Sequence, residues 1–451
     1  MKAPKLNLFD LTMIVTGLVI GMGIFRTASD AAKESLTPSI YFASWIAGGF
    51  IALCGALTYA EIGSRLPVTG GYYKIFAECY HPSIAFAINC IILISNAASL
   101  SGVALVGSEY LSEIIFKTPA TDFVKSLIAM SAIVLFYGVN LAGLRMSAKI
   151  QNVLMIIKIS MILVLIFALF FPSAYATSDP AAVAAPARQY SWMDYIGSFG
   201  AALISVSFTY GGYQQSINFG EEVQNPRKNI PRGIFTGILL IIGLYLLVQV
   251  SYYTIIGFGP LKSATGIAAI VAEKIFGTTG KYVFTGLLFL AVLAYVNVLL
   301  LSNPRVMYAM SMDGILPAAF KKRNTERDVL TVSLTVFAGI CVAVLFFLNT
   351  FSKIVSFSIF LDSIGMATSV GAIFILRKRT RHLNGSGIYT MKLYPLMPLV
   401  FIAAYVFVGI SIAVNTPRLA LTGILVFGAF LALYFITAGM RSKPAGEPPA
   451  L

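Results

Sequence analysis

Two short glycine-containing stretches, each in the middle of an otherwise apolar run, are where this sequence could do chemistry. The first is Gly21-Met22-Gly23-Ile24-Phe25 and the second is Ser207-Phe208-Thr209-Tyr210-Gly211-Gly212. A helix interrupted in hydrocarbon leaves main-chain donors and acceptors without partners, at several kcal/mol each unless something satisfies them. Glycine makes such an interruption conformationally accessible. The helix that restarts after Gly23 exposes N–H groups at its positive dipole end, which suits a carboxylate. The last carbonyls before Gly211 suit an ammonium group. One anion site facing one cation site describes the part that all α-amino acid zwitterions share. The competing reading is close helix packing, since Gly17 and Gly21 have the small-xxx-small spacing that lets membrane helices approach. A matched pair of interruptions favours a binding site.

The elements that must position these stretches follow from composition. Of 451 residues, 58% are hydrophobic and 11% are charged, and the mean hydropathy is +0.85. Soluble domains carry roughly 25% charged residues, so the charge here cannot cover a water-facing surface. Apolar runs of about 20 residues, the length that crosses a bilayer as a helix, recur along the chain. They predict an all-α polytopic membrane protein of twelve transmembrane helices. Residues 1–441 read as a single transmembrane domain. Each glycine stretch lies in the first span of a five-span half, Leu8–Phe171 and Tyr195–Leu376, and two further spans occupy 396–440. An odd number of spans per half inserts the second half the other way up, giving a 5+5 inverted repeat. Pro172 to Asp194 reads as a flexible outer loop, and 442–451 as a disordered cytoplasmic tail.

A net charge of +14 could suggest a nucleic-acid partner. With a cytoplasmic N-terminus, however, 21 Lys and Arg residues fall inside, 10 outside and Lys158 within a span, which accounts for all 32. An excess of cytoplasmic Lys and Arg orients membrane proteins, so the charge reads as topology and no nucleic-acid partner is expected. Both termini are placed in the cytoplasm and the chain in the cell inner membrane. The first span is too long for a cleavable signal peptide.

Lys158 lies eight positions into the fifth span, Ile150–Phe171, about 12 Å from its end at 1.5 Å per residue. An ammonium there costs about 2.5–3.5 kcal/mol on insertion scales. It reads as a cation replacing a coupling ion, as a titrating group, or as a snorkelled lysine with a structural partner. Glu61, Glu221 and Glu222 lie near helix ends and read as gate or salt-bridge residues. The four cysteines lack metal-ligand or disulfide spacing, and His81 and His382 fall in separate loops. No metal site and no cofactor is expected. Without a nucleophile elbow or a phosphate-binding glycine loop, an intramembrane enzyme is disfavoured.

The run Phe208-Thr209-Tyr210-Gly211-Gly212-Tyr213, followed by Asn218-Phe219-Gly220-Glu221-Glu222 through Asn225-Pro226 and Ile230-Pro231-Arg232, resembles the sixth-helix signature of the amino acid–polyamine–organocation superfamily, and within it the L-type amino acid transporter branch. Gly21-Met22-Gly23-Ile24-Phe25 is similar to the first-helix Gly-Ser-Gly-Ile-Phe of that family. Tyr59-Ala60-Glu61, Asn140, Gln151-Asn152, Asn297, Arg305 and Met312-Asp313-Gly314 agree in order.

The resemblance implies the LeuT-type fold. It implies that the substrate carboxylate meets the N–H groups of Met22, Gly23 and Ile24, and that the amino group meets the carbonyls of Phe208, Thr209 and Gly211. The Phe208 ring would gate the pocket, with Tyr213 and Gln214 beside it and Ile94, Ser95 and Val103 forming the side-chain subsite. Lys158 matches a fifth-helix lysine that stands in for sodium, with Gly17 and Ser302 as partners, which implies sodium-independent transport. Met22 departs from the usual Ser, and Thr209 from a common Ala or Ser. An apolar to small polar lining, with no acidic residue near either break, argues for exchange of a neutral amino acid. A proton-coupled symporter or an amine or polyamine exchanger is the alternative, and a non-transporting nutrient sensor would keep the same pocket. The connection Lys117 to Asp122 has no cysteine, so no disulfide-linked heavy chain is expected.

Overall fold

The computed structural model of the protein describes residues 5–116, 120–171, 190–264, 266–347, 351–384 and 387–440. Among them there is no sheet, only isolated bridges such as Leu6 to Val223. The expected 172–189 part of the outer loop and the 442–451 tail lie outside the described residues.

The first apolar run is two helices. Asn7 caps α1 (Leu8–Val19) by accepting from the Asp10 N–H, and Asp10 returns the favour to the Asn7 N–H. After a break, α2 runs over Gly23–Glu34. A long α3 (Pro38–Arg65) and a short α4 (Gly71–Cys79) follow. Next come α5 (Pro82–Ile115), α6 (Asp122–Leu141) and α7 (Leu144–Phe167). The helix α8 (Trp192–Tyr210) starts on the same kind of reciprocal cap as α1, here between Ser191 and Asp194, and also ends at a break. Two 3₁₀ turns, Tyr213–Asn218 and Gly220–Glu222, lead to α9 (Pro226–Ile256). The element α10 (Ile267–Met312) bends at Gly277, whose φ of 68° only glycine adopts freely. The chain closes with α11 (Thr331–Phe347), α12 (Phe351–Arg379), α13 (Leu396–Asn415) and α14 (Pro417–Met440).

Taking α1 and α2 together, ten helices among the described residues are long and apolar enough to cross a membrane. Of the twelve expected spans, the two not in this set are α8, whose 19 residues include Asp194, Ser205, Ser207 and Thr209, and the shorter apolar α11.

The broken helices sit at the centre. α2 packs on α8, while α1 packs on α7 and α9. Glycine sets these distances: a side chain on Gly233 or Gly237 of α9 would strike Leu11 or Val15 of α1 within 3 Å. α5 crosses the same core and is buried on nearly every face. α14, in contrast, carries exposed Leu421, Ile424 and Leu425, as a helix facing lipid would.

Candidate functional site

At the first break, Ile20 leaves the helix with ψ of 78°. The Met22 carbonyl accepts the N–H groups of Phe25 and Arg26, both at 3.1 Å, and so starts the new helix. The first N–H groups of a helix have no intrahelical acceptor. Those of Met22, Gly23 and Ile24 find none elsewhere among the described residues.

At the second break, the Gly211 N–H donates to the Phe208 carbonyl at 3.3 Å, and Gly212 turns with φ of 112°. The Gln214 side-chain oxygen accepts from the Gly212 N–H at 2.9 Å. The carbonyls of Thr209 and Gly211 receive no main-chain donor among the described residues. A Cβ on Gly212 would lie 2.2 Å from the Leu18 carbonyl oxygen, and one on Gly23 would lie 2.8 Å from Thr209 Oγ1. The two gaps therefore meet backbone to backbone. Thr27 and Thr209 hydroxyls pair across this seam at 2.5 Å. Thr27 was missed from sequence, and the hydroxyl of Thr209 is turned to the seam.

One cavity opens between the gaps. Gly21, Met22 and Gly23 form one wall, and Phe208, Thr209 and Gly211 form another. Gln214 lines it, as expected, and so does Val103. Ile94, Ser95 and Tyr213 are absent from the wall. The α5 residues that face the cavity are Asn96, Ser99 and Val103, a stripe at whose edge Ser95 lies, with Ile94 on the far side of the helix. Tyr213 turns the other way, its ring 6.0 Å from that of Tyr59. Ile24 is buried behind the wall. Two polar groups unforeseen from sequence add to the lining. Tyr295 of α10 shares a hydrogen bond of 2.8 Å with Ser99 and lies under Gly21, while Asn96 accepts from Gln215 at 3.0 Å.

A third unforeseen residue is Asp362 of α12, which also lines the cavity. This corrects the expectation that no acidic side chain faces the pocket. Ser95, behind the wall, donates to Asp362 Oδ1 at 3.2 Å. The residue was visible as a carboxylate inside an apolar span, but it is far in sequence from either break.

Lys158 is 1% exposed, and its ammonium donates to the Ile20 carbonyl at the end of α1. That end carries the negative pole of the helix dipole, which favours a cation. Gly17 faces the Gln151 amide and Met155 on the same α7. Ser302, expected as the eighth-helix partner of Lys158, instead accepts from Asn218 at 3.3 Å.

The two ends of the bundle differ. At one, Glu61 is wholly buried and accepts from Arg65 Nε at 2.8 Å, from Arg377 Nη2 at 2.6 Å and from the Met391 N–H at 2.9 Å. Nearby, Arg305 pairs with buried Glu222 at 2.7 Å and lies 4.5 Å over the Phe219 ring. The Leu6 N–H donates to the Glu222 carbonyl at 2.7 Å, tying the N-terminal segment to the chain after α8. At the other end, a polar vestibule is lined by Arg26, Glu109, Glu113 and Lys281. Its Arg26–Glu109 pair, at 3.1 Å, is 37% and 47% exposed. Lys262, at its rim, donates to the Ser35 carbonyl at 3.0 Å, and burial holds its ammonium below the usual lysine range.

Broken apolar helices around a polar midpoint cavity define a polytopic membrane protein of the permease type. The chain matches the amino acid permease family over residues 6–438 and belongs to it. It is similar to the serine/threonine exchanger SteT of Bacillus subtilis (strain 168), with 27% identity over 446 residues, 97% of each chain. It is also similar to the Asc-type amino acid transporter 1 of Mus musculus, with 24% identity over 98% of this chain and 82% of the relative. The large neutral amino acids transporter small subunit 2 of Homo sapiens is 22% identical over 98% of this chain and 81% of its own length.

Proposed function

We propose that the protein is a sodium-independent amino acid transporter that exchanges neutral L-amino acids across the cell inner membrane by alternating access. The observation that carries this reading is the pair of helix gaps facing one cavity, where the N–H groups of Met22, Gly23 and Ile24 and the carbonyls of Thr209 and Gly211 have no main-chain partner among the described residues. A zwitterion completes both sets, and its binding draws α2 and α8 together. The relatives named above, which carry serine and threonine or neutral amino acids by their names, support the substrate class. The matching caps and gaps of α1–α2 and α8 support a 5+5 inverted repeat. The helices α8 and α11, beside the ten long apolar ones, support a count of twelve spans. The excess of Lys and Arg on one side supports cytoplasmic positions for both termini.

On this reading the Glu61 and Glu222 clusters close the cytoplasmic end, and the Arg26 vestibule leads outward. Lys158 holds the end of α1 where a sodium ion would otherwise sit. No disulfide-linked heavy chain takes part. The test is purified protein in liposomes preloaded with unlabelled amino acids, assayed for uptake of labelled serine, threonine, alanine and leucine. Exchange that needs internal substrate and ignores sodium is the expected result. Uptake without internal substrate, abolished by a protonophore, would replace exchange with proton-coupled symport.

A further inference from the structure

Asp362 is the chemistry left unused by a neutral zwitterion. It projects from α12 into the wall of the cavity that holds both helix gaps. Its Oδ1 accepts one hydrogen bond, from Ser95 at 3.2 Å. No ion pair to it forms among the described residues, whereas Glu61 and Glu222 are each paired with arginine. Of the buried cations, Lys158 is committed to the Ile20 carbonyl, Arg65 to Glu61 and Arg305 to Glu222. A carboxylate inside a membrane span is costly unless a cation or a set of donors meets it. The neighbouring walls offer neutral groups only: Asn96, Ser99 and Gln215 on one side, Tyr295 and Tyr405 on others.

We propose that Asp362 is a specificity-determining residue that receives the positively charged side-chain end of a diamino acid such as ornithine or lysine. The inference rests on the amino acid exchange proposed above and adds a substrate class to it. The α-carboxylate and α-ammonium occupy the two helix gaps, and the side chain extends along Ser99 and Asn96 to the aspartate. Ser95 fixes the carboxylate from behind, leaving its other oxygen for the ligand.

The experiment uses the full-length protein in liposomes preloaded with unlabelled alanine, with labelled alanine, ornithine, lysine or putrescine outside. Wild type is expected to exchange ornithine and lysine as well as alanine, and not putrescine, which lacks the carboxylate. In Asp362→Asn the ratio of ornithine to alanine exchange should fall about tenfold or more, because a site built for a charged group discriminates strongly once its partner is changed. Asp362→Glu should restore part of that ratio. Alanine exchange without ornithine or lysine exchange in wild type overturns the assignment, as does an unchanged ratio in Asp362→Asn. Absence of exchange for every amino acid in wild type would instead sink the proposed function itself.

Discussion

The Lys158 ammonium and the Ile20 carbonyl are hydrogen-bonded across the interface of α7 and α1. This one bond ties a residue in mid-membrane to the last carbonyl before the first gap. It also answers how the insertion cost of the lysine is offset: the charge meets a helix C-terminal pole rather than a carboxylate.

Lys158→Ala therefore removes both a charge-assisted hydrogen bond and the cation that neutralises the end of α1. Bonds to charged groups contribute about 1.5–3 kcal/mol, so exchange should drop roughly tenfold to a hundredfold. Membrane yield and gel-filtration profile should stay close to wild type. Exchange at the wild-type rate would remove the lysine from the mechanism.

Gly212→Ala is expected to be the most damaging of the small changes at the gaps. The position has φ of 112°, and its new methyl would lie 2.2 Å from the Leu18 oxygen. Backbone strain of this kind costs about 1–3 kcal/mol before the collision is counted. The unfolding temperature in detergent should fall and exchange should be lost. Gly428→Ala is the control, since nothing lies within 4 Å of its added carbon. It should shift stability by less than about 0.5 kcal/mol. Equal behaviour of the two variants would contradict the close approach of the gaps.

The gaps were legible in the sequence because glycine in an apolar run has few local uses, and both clusters stand out. Lys158 was legible for the same reason, as a charge where the solvent is hydrocarbon. The walls of the cavity were harder to read. α5 is buried around its circumference, so no polar stripe marks its cavity face; at 100° per residue Ser95 falls at the edge of the stripe formed by Asn96, Ser99 and Val103, and Ile94 on the far side of the helix. Tyr213 follows a glycine with positive φ, which turns its ring toward α3 in a way that spacing alone does not reveal. Asp362 reaches the pocket through tertiary packing of α12 on α5, and no local pattern encodes that.

Tyr295→Phe separates the hydroxyl from the ring. The ring that supports Gly21, 3.2 Å from its ideal Cβ, is kept, while the hydrogen bond to Ser99 is lost. A neutral hydrogen bond is worth about 0.5–1.5 kcal/mol. KM for the exchanged amino acid should rise about twofold to tenfold with the unfolding temperature little changed. A collapse in stability would mean that the hydroxyl serves packing and not the pocket.

The Glu61 end of the bundle is held by burial more than by the number of ion pairs. Glu61 is 0% exposed and gathers Arg65, Arg377 and the Met391 N–H onto one carboxylate. Removing one partner of such a cluster leaves uncompensated buried charge, at about 3–5 kcal/mol. The nearby Lys74–Asp313 pair is shorter still at 2.5 Å, but its side chains are 23% and 28% exposed. Water and side-chain entropy reduce a pair of that kind to about 0–1 kcal/mol. Glu61→Gln should therefore lower the unfolding temperature sharply and slow exchange more than tenfold, because α3 and α12 lose the buried ion pair that ties them together. Lys74→Ala should leave both quantities near wild type. Thermal unfolding in detergent and exchange in liposomes, run on both variants side by side, decide the matter: comparable losses would show that this end is held by its surface pairs rather than by the buried carboxylate.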